Sequence, residues 1–167
     1  MEKSAILGAL MVQDRLLRLN IQMLEGIHRE IKADVEELSI LAEACLSEEE
    51  YKIYKEVVLK VEADLLAKIS EVIDHIYDIY EVFNFDITFL STLPEELGRE
   101  IERLDTVNSI NSKLELIIAI FEEILLIAEE NPKMFAILTP FRVYKEVIRQ
   151  SLEFNKKLNE LSLQKTE

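Results

Sequence analysis

Apolar residues recur every three or four positions along most of this chain, with charged residues between them. That spacing is typical of amphipathic α-helices, because positions three or four apart lie on one side of a helix. We expect a first helix from about Ser4 to Cys45. Within it the apolar repeat is a strict seven, which indicates coiled-coil-like packing against another helix. The residues at that interval are Leu10, Leu17, Leu24, Ile31 and Leu38.

Three glycines and three prolines leave few places where a helix can end. The segment 47–50 (SEEE) forms a capping box, in which Ser and Glu side chains bond to the first free amides of a helix. It predicts a second helix over about 48–84, joined to the first by a very short turn. Between 83 and 90 the apolar residues alternate with polar ones instead. We expect an extended connection there, with its aromatic side chains packed on the end of the bundle.

The second half of the chain carries similar signals. The segment 92–95 (TLPE) combines an N-cap, a first-turn proline and a reciprocating Glu, so it predicts a third helix over about 93–130. Asn131 and Pro132 end that helix and start the next segment. Thr139 and Pro140 mark another cap, after which a fourth helix runs to about Leu161. Near-equal helices with short turns predict an all-α fold, an elongated up-down-up-down antiparallel four-helix bundle. The whole chain reads as a single domain.

Charge and composition exclude some classes of function. A net charge of -14 argues against nucleic-acid binding, because a nucleic-acid binder needs a cationic surface. Only residues 132–167 are basic, with seven Lys and Arg against four Glu, and we expect this segment to pack between the acidic second and third helices. The most apolar stretch, 114–128, contains three Glu and is too short to span a membrane. With a lone Cys45 as well, the sequence predicts a soluble, cytoplasmic protein.

Two pairs of carboxylates are the main candidates for a metal-binding or catalytic site. Glu71 and Asp74 lie near the end of the second helix, and Glu102 and Asp105 lie near the start of the third. Antiparallel packing would bring the two pairs to a similar height, where four carboxylates could bind Mg²⁺. The spacing places the first pair on the polar side of its helix, so a solvated acidic surface is the simpler explanation. The alternative function is a small-molecule- or metal-binding bundle, either a sensor or a magnesium-dependent nucleotide pyrophosphohydrolase.

The two histidines do not form a second candidate site. Glu25 and His28 have the ExxH spacing of di-iron carboxylate bundles, but that spacing is not repeated at His75. At about 1.5 Å per residue the two histidines stand more than about 10 Å apart along the hairpin. We therefore expect His28 at the edge of the core, and we predict no cofactor.

Two asparagines fall on apolar stripes. Asn111 and Asn155 each lie seven residues from apolar positions. A buried Asn at such a position fixes helix register and partner number, whereas an Asn at the helix flank does neither. The sequence leaves both possibilities open.

The third helix is apolar on most of its circumference between 114 and 128, which is more than one contact stripe needs. It is therefore either the central helix or an interface. We expect a non-enzymatic helical interaction protein, an adaptor, chaperone-like protein or assembly subunit, that binds another helix or a second copy of itself as a homo-oligomer. The expected interface residues are Leu116, Ile120, Ile127, Phe85 and Phe89.

Overall fold

The computed structural model describes residues 3–87 and 106–164, and 96% of them are helical with no strand. The all-α bundle predicted from the sequence is confirmed. No helix in these two ranges is long and apolar enough to cross a membrane. The helices are α1 (Lys3–Cys45), α2 (Glu48–Ile53), α3 (Leu59–Ile87), α4 (Thr106–Glu129), α5 (Pro132–Ile137) and α6 (Thr139–Gln164), with a π-helical turn at Tyr54–Val58 between α2 and α3.

The long helices form a square in which α1 and α4 each pack against both α3 and α6. The heptad residues of α1 are all buried in the shared core, together with the aromatic rings of Phe121 and Phe141. The basic α6 packs chiefly on α4 and α1, so its predicted place between the second and third helices is wrong. In an up-down square the fourth helix neighbours the third and the first, and it lies diagonally across from the second.

The start of the second helix is confirmed. Ser47 Oγ accepts a hydrogen bond from the Glu50 amide at 3.2 Å, and Glu50 Oε1 accepts one from the Ser47 amide at 2.9 Å. Asn131 caps α5 through bonds from the amides of Lys133 and Met134, both 3.1 Å long. The Asn131 side-chain amide also donates to Glu50 Oε2, which ties two helix starts together at one end of the bundle.

The extended connection expected over 83–90 is wrong for residues 83–87, which form the last turns of α3. A lone extended segment leaves its amides and carbonyls unpaired, whereas continuing the helix pairs them within the chain. Residues 88–90 lie outside the described ranges, as do the predicted cap at 92–95 and the first part of the predicted third helix.

Candidate functional site

An open groove follows the seam between α1 and α6. One part of it, about 440 Å³, lies between Leu19 and Met23 of α1 and Val147 and Phe154 of α6. An adjoining part, about 230 Å³, shares Leu19 and Phe154. These two side chains are 51% and 50% exposed, although they are large and apolar. The further lining residues of the second part are Met11, Val12, Arg15, Leu16 and Leu158.

The sequence of α6 explains why this seam is apolar. On α6, Val147, Phe154 and Leu158 line the groove at intervals of seven and four residues, and Val147 and Phe154 are exposed. Two lysines of α6 form ion pairs with α4, Lys145 with Glu122 at 3.4 Å and Lys156 with Glu115 at 2.9 Å. The α6 helix therefore presents charged side chains to α4 and apolar side chains to the groove. A continuous exposed apolar surface of this kind marks interaction sites.

The floor of the groove is a pair of buried asparagines. Asn20 on α1 and Asn155 on α6 each donate a side-chain hydrogen bond to the other, and both bonds are 2.9 Å long. Asn155 Nδ2 also donates to Asn111 Oδ1 on α4 at 3.1 Å, and Asn20 Nδ2 also donates to the Leu16 carbonyl at 2.7 Å. Three helices thus meet through one amide layer.

A second amide layer lies further along the bundle, one turn away in α6 and two turns away in α1. Gln13 Nε2 donates to Asn159 Oδ1, and Asn159 Nδ2 donates to Asn108 Oδ1 at 3.3 Å. Gln13 Oε1 and Asn111 Nδ2 are buried without a hydrogen-bond partner in the described part of the chain. The burial of Asn111 and Asn155 excludes the flank position for both. Buried amides that pair only in one alignment favour a single register of the helices.

Two more buried polar residues, Tyr54 and Glu62, lie in the continuous rod formed by α2, the π-helical turn and α3. Glu62 is 1% exposed, and neither of its carboxylate oxygens has a partner in the described ranges. Burial raises the pKa of Glu62 to about 7. Burial and then the charge of Glu62 raise the pKa of Tyr54, whose hydroxyl is also buried without a described partner. Burial therefore favours the protonated, neutral form of this carboxyl.

The π-helical turn explains why Tyr54 and Glu62 lie on one side of their rod. Eight residues of regular α-helix turn through about 80° beyond two full rotations. A π turn inserts one extra residue, and the roughly 100° rotation of that residue offsets the excess. The insertion therefore directs both side chains into the core.

The predicted metal ligands divide between described and undescribed residues. Glu71 and Asp74 are exposed, and Glu71 Oε2 is paired with Lys68 Nζ at 3.5 Å. Glu102 and Asp105 lie outside the described ranges, so the four-carboxylate site stays a prediction. Across residues 3–87 and 106–164, no group of three or more His, Cys, Asp or Glu side chains could hold a metal ion.

The histidines lie apart in the structure. His28 is half-buried, and the carboxylate of Glu25 accepts a hydrogen bond from the Tyr77 hydroxyl. His75 Nε2 lies 3.4 Å from Ser109 Oγ on α4. Burial lowers the pKa of His75, and the nearby Lys113 ammonium lowers it further. His75 therefore favours its neutral form.

The predicted interface residues on the third helix are partly used within the bundle. Leu116 is 52% exposed, but Ile120 and Ile127 are half-buried and pack against the core. Because α4 contacts α3 on one side and α6 on the other, much of its apolar circumference is already covered. Phe85 belongs to the last turns of α3, with its side chain outside the described part, and Phe89 lies outside the described residues.

Comparison with known proteins gives one informative similarity. The chain is 49% identical over 159 residues to a protein of Aquifex aeolicus (strain VF5) that is named only as an uncharacterized protein. The similarity covers 95% of each chain. No protein-family model matches the chain, and no solved structure matches it.

Proposed function

The chain belongs to the same family as the Aquifex aeolicus protein, and we propose that it is a non-enzymatic interaction protein whose α1–α6 groove binds an amphipathic helix. The observation that carries the proposal is the largely apolar groove along this seam, in which Leu19 and Phe154 are half exposed to solvent. An amphipathic helix fits such a surface because its anchor side chains recur at the spacing of the groove walls. Each large anchor that becomes fully buried contributes about 1.5 to 3 kcal/mol.

The outer surface of α4 is a weaker candidate for the interface than the groove. Leu116 and Leu126 are exposed there, but glutamates such as Glu115, Glu122 and Glu123 stand between and beside them. Single exposed leucines among charges are ordinary on protein surfaces. The described residues that line the groove, by contrast, include no carboxylate. We therefore assign the interface to the groove rather than to the third helix.

The proposal extends to the setting in which the protein acts. We propose an adaptor or assembly subunit of the cytoplasm, where a single exposed Cys45 stays reduced. Its partners are proteins that present a helix, and the protein itself is an oligomer.

Photo-crosslinking tests the proposed function directly. A benzophenone side chain is placed at Leu19 in the groove, or at Leu116 on the surface of α4 as the matched control, because both leucines are half-exposed. We expect a polypeptide adduct from position 19 that maps to a helical segment and is lost when Val147→Glu is added. An adduct from position 116 with none from position 19 would move the interface to α4.

A further inference from the structure

We propose that the π insertion at Tyr54–Val58 is mobile, and that ionisation of Glu62 moves it toward the carboxyl end of the rod, past residue 62. The segment 57–62 then rotates by about 100° about the helix axis, while the helix on either side of it stays in place. Glu62 thereby leaves the core and reaches solvent. The shift involves only the rod of α2 and α3 and does not depend on the α1–α6 groove.

The backbone permits the insertion to move. The Leu59 amide donates to the Tyr54 carbonyl five residues back, instead of the four residues of an α-helix. Moving the insertion exchanges one set of such bonds for another, so every amide and carbonyl of the segment remains paired. Residues 51–70 contain neither glycine nor proline, so nothing in their sequence confines the insertion to one place.

The side chains fit both registers of the segment. When the insertion moves past residue 62, each residue from 58 to 62 is replaced at its position on the helix surface by the residue before it. Val57 takes the buried position of Val58, and Val61 takes the buried position of Glu62. Val57 is apolar yet 40% exposed, so the shift buries a side chain that is now in solvent. The core therefore keeps one valine and gains another in place of a carboxyl.

The shifted register loses some apolar burial at the edge of the core. Lys60 takes the position of Val61, which is 7% exposed, and Leu59 takes the exposed position of Lys60. A lysine at the edge can lay its hydrocarbon stem along the core and keep its ammonium group in water. While Glu62 is neutral, this loss keeps the insertion at Tyr54–Val58.

Ionisation of Glu62 reverses the preference, because both of its carboxylate oxygens are buried without a hydrogen-bond partner in the described ranges. A buried carboxylate without a partner carries an uncompensated desolvation cost. A carboxylate that has rotated to the surface regains its hydration. The shift therefore removes the charge from the core without unfolding the rod.

No titratable neighbour in the described ranges compensates the charge. Contacts of Glu50 with Asn131 and of His75 with Ser109 fix the level of the rod against α4. Asp34 accepts from the Tyr144 hydroxyl, and Lys145 is paired with Glu122, so these groups are engaged elsewhere. The titratable groups near the level of Glu62 are Tyr54 on its own rod, His28, Glu30 and Asp34 on α1, Glu122 and Glu123 on α4, and Tyr144 and Lys145 on α6.

The shift has a defined dependence on pH. In the core the pKa of Glu62 is about 7, whereas at a solvated position it is near the ordinary value of 4.5. The ratio of the shifted register to the unshifted one therefore rises between pH 4.5 and 7, by about 300-fold in total, and is constant outside that interval.

Methyl NMR of the full chain with a soluble paramagnetic agent tests the shift. At pH 5 the exposed Val57 methyls should broaden, and the buried Val58 methyls should not. At pH 8 we expect the order to reverse, because Val57 enters the core and Val58 moves to the half-buried position of Leu59. Val72, which is buried on the same rod, is the internal control and should stay protected at both values.

Two variants isolate the insertion and the charge. Glu62→Gln stays neutral, so its insertion should remain at Tyr54–Val58 at both pH values. Deletion of the exposed Glu56 removes the extra residue, so a plain α-helix still directs Glu62 inward but has no insertion to move. Between pH 5 and 8 this deletion variant should lose more stability than the natural chain. Circular dichroism shows whether both variants fold.

Three results would overturn the mobile insertion. Methyl protection that is equal at both pH values, while the carboxyl carbon of Glu62 reports ionisation, means that Glu62 ionises in place. A carboxyl that stays protonated up to pH 9 means that the driving charge is absent. A reversal that persists in Glu62→Gln means that another group drives it. None of these results bears on helix binding in the groove, which crosslinking at Leu19 tests separately.

Discussion

At the scale of single residues, the core of this bundle contains polar groups that the apolar pattern only partly reveals. Asn111 and Asn155 are visible in the sequence because they interrupt apolar heptads. Gln13, Asn20 and Ile27 also lie seven apart, and that spacing was the available signal for the α1 members of the network. The hydrogen-bond partners were not predictable, because they depend on the register of α1 against α6.

Replacing one member of the asparagine pair should destabilise the protein strongly. Asn155→Leu leaves the side-chain oxygens of Asn20 and Asn111 without a donor, and each unpaired buried group costs about 1 to 3 kcal/mol. In the double variant with Asn20→Leu we expect part of this loss to return, with a coupling of at least about 1 kcal/mol. Chemical denaturation of the four proteins in the cycle measures the coupling. Additive losses would mean that the pair does not interact, and the exposed Gln22→Leu serves as the control.

Glu62 should make stability depend on pH in an unusual direction. An unfolded Glu ionises near its ordinary value of 4.5, whereas Glu62 in the folded protein ionises at about 7. As pH rises from 4.5 to 7, the unfolded state releases this proton first, so the free energy of unfolding falls and then levels off. Linkage over this interval amounts to about 3 kcal/mol.

Replacing Glu62 by Leu should therefore stabilise the protein more at pH 8 than at pH 4. Denaturation at the two values measures both gains, and Glu81→Leu controls for an exposed carboxylate on the same helix. An equal gain at both values would show that Glu62 has an ordinary pKa.

At the scale of elements, local sequence signals predicted the helix ends where side chains cap the backbone. The capping box at Ser47 and the cap at Asn131 are both present. The alternation over 83–87 was misleading, because a period of two has meaning only where a neighbouring strand exists. The π turn at Tyr54–Val58 has no sequence signature and arises from the fit of buried side chains on either side of it.

Removing the Ser47 cap should lower the free energy of unfolding by about 1 kcal/mol in Ser47→Ala, as chemical denaturation would measure.

The Ser47 amide and the Asn131 side chain lower the pKa of Glu50 to about 2 from 4.5. The stabilisation from Glu50 is therefore complete above 4.5 and is lost as pH falls toward 2. Thermal unfolding between pH 6 and 2.5 should show a shallower acid decline in Glu50→Gln than in the natural chain. If the stability of both proteins fell in parallel, Glu50 would not contribute to the loss of stability in acid.

At the scale of the whole molecule, periodicity and turn signals were enough to predict an all-α bundle, because the helical pattern and its caps are encoded locally. The groove was not predicted. Val147 and Phe154 are apolar in any arrangement, and only the square of helices shows that the described residues leave both of them partly exposed. The sequence predicts surplus apolar surface on the third helix, whereas the exposed side chains of Leu19 and Phe154 lie between α1 and α6.

The central claim, that the α1–α6 groove binds an amphipathic helix, is tested most directly by one crosslinking comparison. A benzophenone side chain at Leu19 in the groove should give an adduct with a helical polypeptide, whereas the same side chain at Leu116 on α4, which is about equally exposed, should give none. An adduct from Leu116 with none from Leu19 would contradict the account.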